Sequence, residues 1–310
     1  MIKVLIGPLW PLFDVMYILC MILVISIMAS ASGSIVEQTT GLNYWAGVVL
    51  LVAITGGLIF FGDSIIERFE TWGTVVLYVG YIVFSGMVIM NGYKNIGQVL
   101  TTGDMSYTGE TGILPILWTG VIYVAYNLVV YPPSMFSLKR QKTRKECVVS
   151  GLIAGLLMTI PWFLTYFAMM SFYPDAEVLG AEIPWLIMIG KVGAPGFFSI
   201  IFGVVMGWTL IETSTGVIHA LLGRVNVELA ECGKKEINRK YQAIVTVLIL
   251  VAACVMSKFG IIALIEKGYT ALSYGFMLLY MLPIITVGVY KILKKDPILR
   301  TEKEPELVET

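Results

Sequence analysis

Eight apolar runs dominate the chain, at about residues 9–33, 46–62, 74–92, 113–137, 148–171, 196–222, 241–258 and 269–292. Each reaches or approaches the ~20 residues that a helix needs to cross the hydrocarbon of a bilayer. In that solvent every unpaired backbone N–H or C=O is costly, so only helices and closed barrels can span it. The short alternating segments of barrel strands are absent. The pattern predicts an all-α integral membrane protein: a helical bundle of about eight transmembrane helices, with residues 1–292 forming a single membrane domain. Composition agrees, with 57% hydrophobic and 14% charged residues and a mean hydropathy of +0.84, against about 25% charged in a soluble domain.

The charges are informative by position. Formal net charge is zero and there is one histidine, so nothing suggests a nucleic acid as partner; the partner is the lipid bilayer. Of the 21 Lys and Arg, all but Lys94, Lys191, Lys258 and Lys267 fall on one side of the predicted topology. The positive-inside rule then predicts a multi-pass cell-membrane protein with both termini cytoplasmic. The N-terminus does not read as a cleavable signal. The four cysteines form no disulfide framework or metal-ligand spacing. Residues 293–310 are charged and proline-containing, the composition of a disordered cytoplasmic tail.

The fourth run ends in "YVAYNLVVYPPSMFS" (123–137). A helix from 113 to 128 would be about 24 Å long at 1.5 Å per residue, short of the ~30 Å hydrocarbon thickness. Pro132 and Pro133 cannot donate to the carbonyls of Leu128 and Val129, so the predicted break falls inside the membrane and must face protein or a water-filled cavity. Broken helices of this kind line substrate sites in secondary transporters. Asn127, beside the freed carbonyls, points the same way; a proline kink packed on a neighbour is the alternative.

The sixth run is polar nearly all round for two turns, through Thr209, Glu212, Thr213, Ser214 and Thr215. An ionisable residue at membrane depth is a functional candidate, while a polar cluster that glues helices together is the alternative. Glu212, Thr215, Gly216 and His219 share one helical face, His219 falling near the interface. Asp14 is expected to be solvated at the inner interface, and the small residues 29–34 to serve close packing or a backbone-lined site. Of the outer connections, 93–112 reads as irregular and 182–193 as a short surface helix that could act as a lid. No catalytic motif is present, so an enzyme is not expected.

The segments "FDVMYILCMILVISIMASASGSIVEQTTGLNYWAG" (13–47), "YVAYNLVV", "EIPWLIMIGKVG" and "ETSTGVIHALLGRV" together resemble YkvI-type membrane proteins of the amino acid, polyamine and organocation (APC) transporter superfamily, which have the LeuT fold. The resemblance covers roughly residues 9–225, and the remainder matches by helix count. It implies that the eight spans correspond to helices three to ten of a ten-helix core. That is a partial inverted-repeat fold lacking the glycine-rich broken first helix and the second. A start downstream of the true one is the favoured account, a reduced chain the other.

The resemblance implies half of a substrate site at Tyr123, Tyr126 and Asn127 with the backbone of Val129 and Tyr131. It also implies ion binding at Thr213, Ser214 and Thr215, whose hard oxygens suit Na⁺; Glu212 offers a proton-carrying alternative, and the lean is to sodium. The expected function is a secondary active transporter, a symporter for an amino acid or similar small amine or organic ion coupled to Na⁺ or H⁺. No cofactor beyond that ion is expected, nor a metal beyond Na⁺, and a homo-oligomer is compatible with the sequence. A non-transporting receptor or signalling subunit on the same scaffold, like a spore germinant receptor subunit, is the alternative function. Single-cysteine labelling of intact cells tests the topology: positions in 138–146 and 225–239 should be protected from an external reagent and positions in 95–110 accessible. External labelling of the 138–146 loop would overturn the orientation.

Overall fold

A computed structural model describes residues 2–61, 63–109, 112–128 and 141–294. The elements are α1 (Ile2–Ile6), α2 (Trp10–Thr40), α3 (Tyr44–Phe61), α4 (Asp63–Thr102), α5 (Ile113–Asn127), α6 (Arg144–Met170), α7 (Ala176–Leu179), α8 (Pro184–Lys191), α9 (Phe197–Glu231), α10 (Arg239–Met256) and a last helical passage, α11 (Ile261–Leu293). Among the described residues there is no strand, and seven helices are long and apolar enough to cross a membrane. The protein is an all-α membrane bundle. Seven of the eight runs expected from the sequence correspond to these helices. The remaining one is described only in part, as the 15-residue α5. Pro132 and Pro133, with Val129 and Tyr131, lie outside the described residues.

The bundle is built around α2, which packs against α3, α9, α10 and α11. Its stripe of Phe13, Tyr17, Cys20, Met21, Val24 and Ile25 is buried against Val217, Ile218 and Leu221 of α9, Ile249 and Leu250 of α10, and Phe276 and Tyr280 of α11. The other half of α2 uses small residues. Gly33 lies under the ring of Tyr44, and a Cβ on Gly47 would collide with the carbonyl oxygen of Ser32. Ser32 donates its hydroxyl to the Gly47 carbonyl at 2.9 Å, closing the α2–α3 contact. Between the two alternatives left by the sequence for residues 29–34, the structure selects close packing. Tyr44 reaches onward, its hydroxyl 3.1 Å from both Ser30 Oγ and the Ser257 carbonyl, and so ties α2 and α3 to the end of α10.

Two boundaries differ from the sequence reading. The first span continues past residue 33 to Thr40, where Gly41 at φ 71° ends it in the left-handed conformation that glycine adopts at least cost. Residues 93–102, expected to be irregular, extend α4 instead. Tertiary contact overrides their glycine and threonine content: Ile96 and Val99 pack with Met170 of α6, and Asn95 donates to the carbonyls of Met170, Ser171 and Tyr173 at 2.8–3.3 Å. Gly92 permits the approach, since a side chain there would strike Ser171. Irregular backbone begins only at Gly103, with φ 63°.

One end of the bundle, here called basal, gathers α1 and the C-terminal ends of α9 and α11. Lys3 pairs with Glu228 at 3.0 Å and Lys291 donates to the Val4 carbonyl at 3.1 Å. Asp14 is also here, and it is not solvated as expected from the sequence. It forms an ion pair with Arg224 of α9, the two side chains being 20% and 22% exposed. The guanidinium lies 5.6 Å from the ring centres of Phe13 and Tyr17, which lower its desolvation cost by cation–π attraction. Sequence spacing could not show this pair, because its members are 210 residues apart. Removing one partner strands a charge in a mostly buried position, so Asp14→Asn or Arg224→Gln should each lose about 1–3 kcal/mol of stability. The double replacement Asp14→Leu/Arg224→Leu should lose less than either, measured as thermal unfolding in one detergent. Equal or larger loss in the double variant would show that the pair is not what holds α2 to α9 there.

Candidate functional site

The polar turn of α9 is accommodated first by its own backbone. Thr209, Thr213, Ser214 and Thr215 each donate a hydroxyl to the carbonyl four residues earlier, at 2.8–3.1 Å. Such bonds remove the donor from competition and let the residue sit in an apolar bundle. Ser214 and Thr215 are fully buried. Their oxygens keep lone pairs that a cation could use, but their protons are committed.

Glu212 has no such internal solution. Its side chain crosses to α4, where Oε1 accepts a 3.4 Å hydrogen bond from Thr74. Oε2 is buried without a hydrogen-bond partner. The approach exists because residue 73 is glycine: a Cβ there would overlap Oε2 and sit 2.6 Å from Trp208 Nε1. Trp208 completes the seam, its indole donating to the Phe69 carbonyl at 3.2 Å while its ring stacks on Phe69 at 4.7 Å.

A second carboxylate, missed by the sequence reading, lies on the same seam. Glu70 of α4 places Oε1 3.2 Å from where a Cβ on Gly216 would be, so a glycine on each helix gives room to the carboxylate of the other. The signal was present as "ETWG" on α4 and "ETSTG" on α9. It could not be read without knowing that 73 faces 212 and 70 faces 216. Gly73 begins the apolar stretch of α4, which puts the two acids in the basal half of the bundle. Facing carboxylates at this depth can bind a proton or a small cation between them, because a buried anion is stable only when neutralised. Among the described residues no group of three His, Cys, Asp or Glu side chains is placed to hold a metal ion.

The residues expected to touch substrate sit elsewhere. Asn127 donates to the Tyr123 carbonyl at 2.7 Å, a bond within its own helix. Tyr123 and Tyr126 meet edge to face at 5.3 Å, and Tyr126 stacks on Tyr269 of α11 at 4.7 Å. α5 packs along α11, whereas Glu212, Thr213, Ser214 and Thr215 belong to α9, and α2 packs against both α9 and α11. Each group thus has its own partners. Val129 and Tyr131 lie outside the described residues.

At the end opposite the basal one, residues 182–193 form the short helix expected of them. α8 buries Trp185, Leu186, Met188 and Ile189 against α4 and α9. Lys191 at its end pairs with Asp175 and, at 2.7 Å, with Glu177, while Glu182 before its start accepts a 2.9 Å hydrogen bond from Ser34 of α2. No protein-family model matches the chain, and neither a curated protein nor a solved structure does. The likeness to YkvI-type proteins rests on the sequence motifs alone.

The Lys191 latch has a defined pH range. Its hydrogen bond with Lys191 is the main cause that lowers the Asp175 carboxyl below the usual carboxylate range, and bonds to Asp175 and Glu177 raise the Lys191 ammonium. A depressed acid contributes stability above its unfolded-state value and loses it as pH falls through the depressed one. A raised base contributes below its unfolded-state value and loses it as pH rises through the raised one. The difference in thermal midpoint between wild type and Lys191→Gln should be widest between those limits, vanish on both sides and shrink with salt. A difference independent of pH would mean that the lysine stem, not its charge, holds α8.

Proposed function

We propose that the protein is a secondary active transporter for an amino acid or similar small amine or organic ion, driven by a cation gradient and resident in the cell membrane with both termini cytoplasmic. The single observation that carries the reading is the half-buried side chain of Glu212 between α4 and α9, whose Oε2 is buried without a hydrogen-bond partner and which has Glu70 on the same seam. A protein that served only as a membrane scaffold would gain stability by replacing such a group with an apolar one. Retained at this depth, an ionisable side chain marks a proton or ion pathway.

The coupling ion we favour is the proton. Binding H⁺ neutralises Glu212 and turns a costly buried anion into a neutral group able to donate. That changes the balance between packed and separated arrangements of α4 and α9, as alternating access requires. The hydroxyls of Thr213, Ser214 and Thr215 remain the sodium alternative. Substrate would be held toward α5, where Tyr123, Tyr126 and Asn127 offer aromatic faces and an amide.

The test is uptake of a labelled amino-acid mixture by proteoliposomes containing the full chain. An inward proton gradient should drive accumulation, and Glu212→Gln should reduce it on the order of tenfold or more while the purified variant unfolds no earlier than wild type. Uptake that follows Na⁺, ignores pH and falls in Thr215→Val would move coupling to the hydroxyls. Saturable binding with no accumulation under either gradient would replace the transporter by a receptor.

A further inference from the structure

Pro161 stands in the interior of α6. It has no N–H, so the carbonyl four residues earlier, that of Leu157, loses its helical donor, and the proline ring crowds the same carbonyl. In lipid no water can take the donor's place. Another helix supplies it: the Tyr78 hydroxyl of α4 donates to the Leu157 carbonyl at 2.6 Å. A tyrosine hydroxyl in an apolar setting needs an acceptor as much as that carbonyl needs a donor, and one bond satisfies both.

Pro161 also divides α6 by its packing. The helix runs parallel to α4, with 78 beside 157 and 92 beside 171, so its first half is the basal one. Beyond the proline α6 is held firmly. Ala168 and Met170 are buried, Met170 packs with Ile96 and Val99 of α4, and Asn95 binds the carbonyls of Met170, Ser171 and Tyr173. Before the proline every described side chain from 145 to 160 is exposed except Ser150, which is intermediate. A Cβ on Gly151 or Gly155 would meet nothing within 4 Å. A helix lying against the bundle buries a stripe at i, i+3 and i+4 spacing, and this half buries none.

We infer that α6 is hinged at Pro161 and latched by Tyr78. Its basal half, residues 144–160, is an arm that stays beside α4 while the Tyr78 hydroxyl holds the Leu157 carbonyl and swings away when that bond opens. The pivot comes from the proline, which removes the bond that would keep the two halves coaxial. The freedom comes from the bare surface, since no interdigitated side chains have to be unpacked for the arm to move. The latch sets the balance, because in the lifted arm the hydroxyl and the carbonyl lose each other where no water replaces either. The hinge is a property of α6 and α4 and is independent of the transport reading.

The chain carries its own probe positions. Cys147 on the arm and Cys232 just past the end of α9 are both exposed, while Cys20 is buried. In a Cys20→Ala/Cys254→Ala background, spin labels on Cys147 and Cys232 of the full chain in nanodiscs report the position of the arm by pulsed dipolar distance measurement. The hinge should give one main distance and a minor population of others. Tyr78→Phe, which removes only the donor, should raise the minor population relative to the main one about tenfold, the value of one hydrogen bond. Pro161→Ala returns an N–H to the Leu157 carbonyl and should leave the main distance alone. In that variant Tyr78→Phe should change nothing, because the carbonyl is already satisfied. Distances that ignore Tyr78→Phe in the chain with Pro161, or that respond equally with and without the proline, would overturn the hinge. A Tyr78→Phe variant with a lower thermal midpoint and unchanged distances would do so too, since the bond would then be a fixed staple.

Discussion

The contact on which the bundle depends is the closeness of α2 to α3, where Gly47 leaves room for the carbonyl of Ser32 and Ser32 returns a hydrogen bond to the Gly47 carbonyl. In lipid there is no hydrophobic gain from pressing two apolar helices together, so approach must come from packing and from hydrogen bonds that small residues allow. That contact makes α2 the axis of the molecule. With its small-residue half pinned to α3, its aromatic half faces α9, α10 and α11, and the ion pair of Asp14 with Arg224 fixes the basal register.

The α4–α9 seam uses the same device for a different end. Glycines at 73 and 216 remove side chains that would keep the helices apart, and the space they open receives carboxylates instead of hydrocarbon. Further along the same two helices, Gly80 gives room to the side chain of Val205, and Tyr81, Phe84 and Phe202 pack there with Trp185 of α8. One interface thus changes character along its length, from acidic at the basal half to aromatic toward the opposite end.

Some of the site was legible in the sequence. Glu212 stood out because an acid in an apolar run has few bland explanations, and residues 182–193 carried enough apolar side chains to suggest a short helix, which the structure places at Pro184–Lys191. Other parts were not legible. Glu70 was not singled out at all, because nothing in the sequence shows that its helix packs residue 70 on Gly216. Residues 93–102 looked like a loop because glycine, asparagine and threonine weaken helix propensity, while Asn95 in fact joins α4 to the three carbonyls that end α6. Asp14 looked solvated because its partner is supplied by a helix far away in sequence.

What the sequence determined by itself was the class of structure and the places of the seven long apolar helices found among the described residues. A backbone immersed in lipid must satisfy its hydrogen bonds within each segment, so run length and hydropathy suffice. What only the tertiary structure decided was which face of each helix meets which neighbour. A helix that is apolar all round carries no polar stripe to mark its outside. Orientation was then set by where glycines and serines let backbones approach and where Glu70, Glu212, Asp14 and Arg224 found one another's helices, and those are relations between distant segments that no local pattern contains.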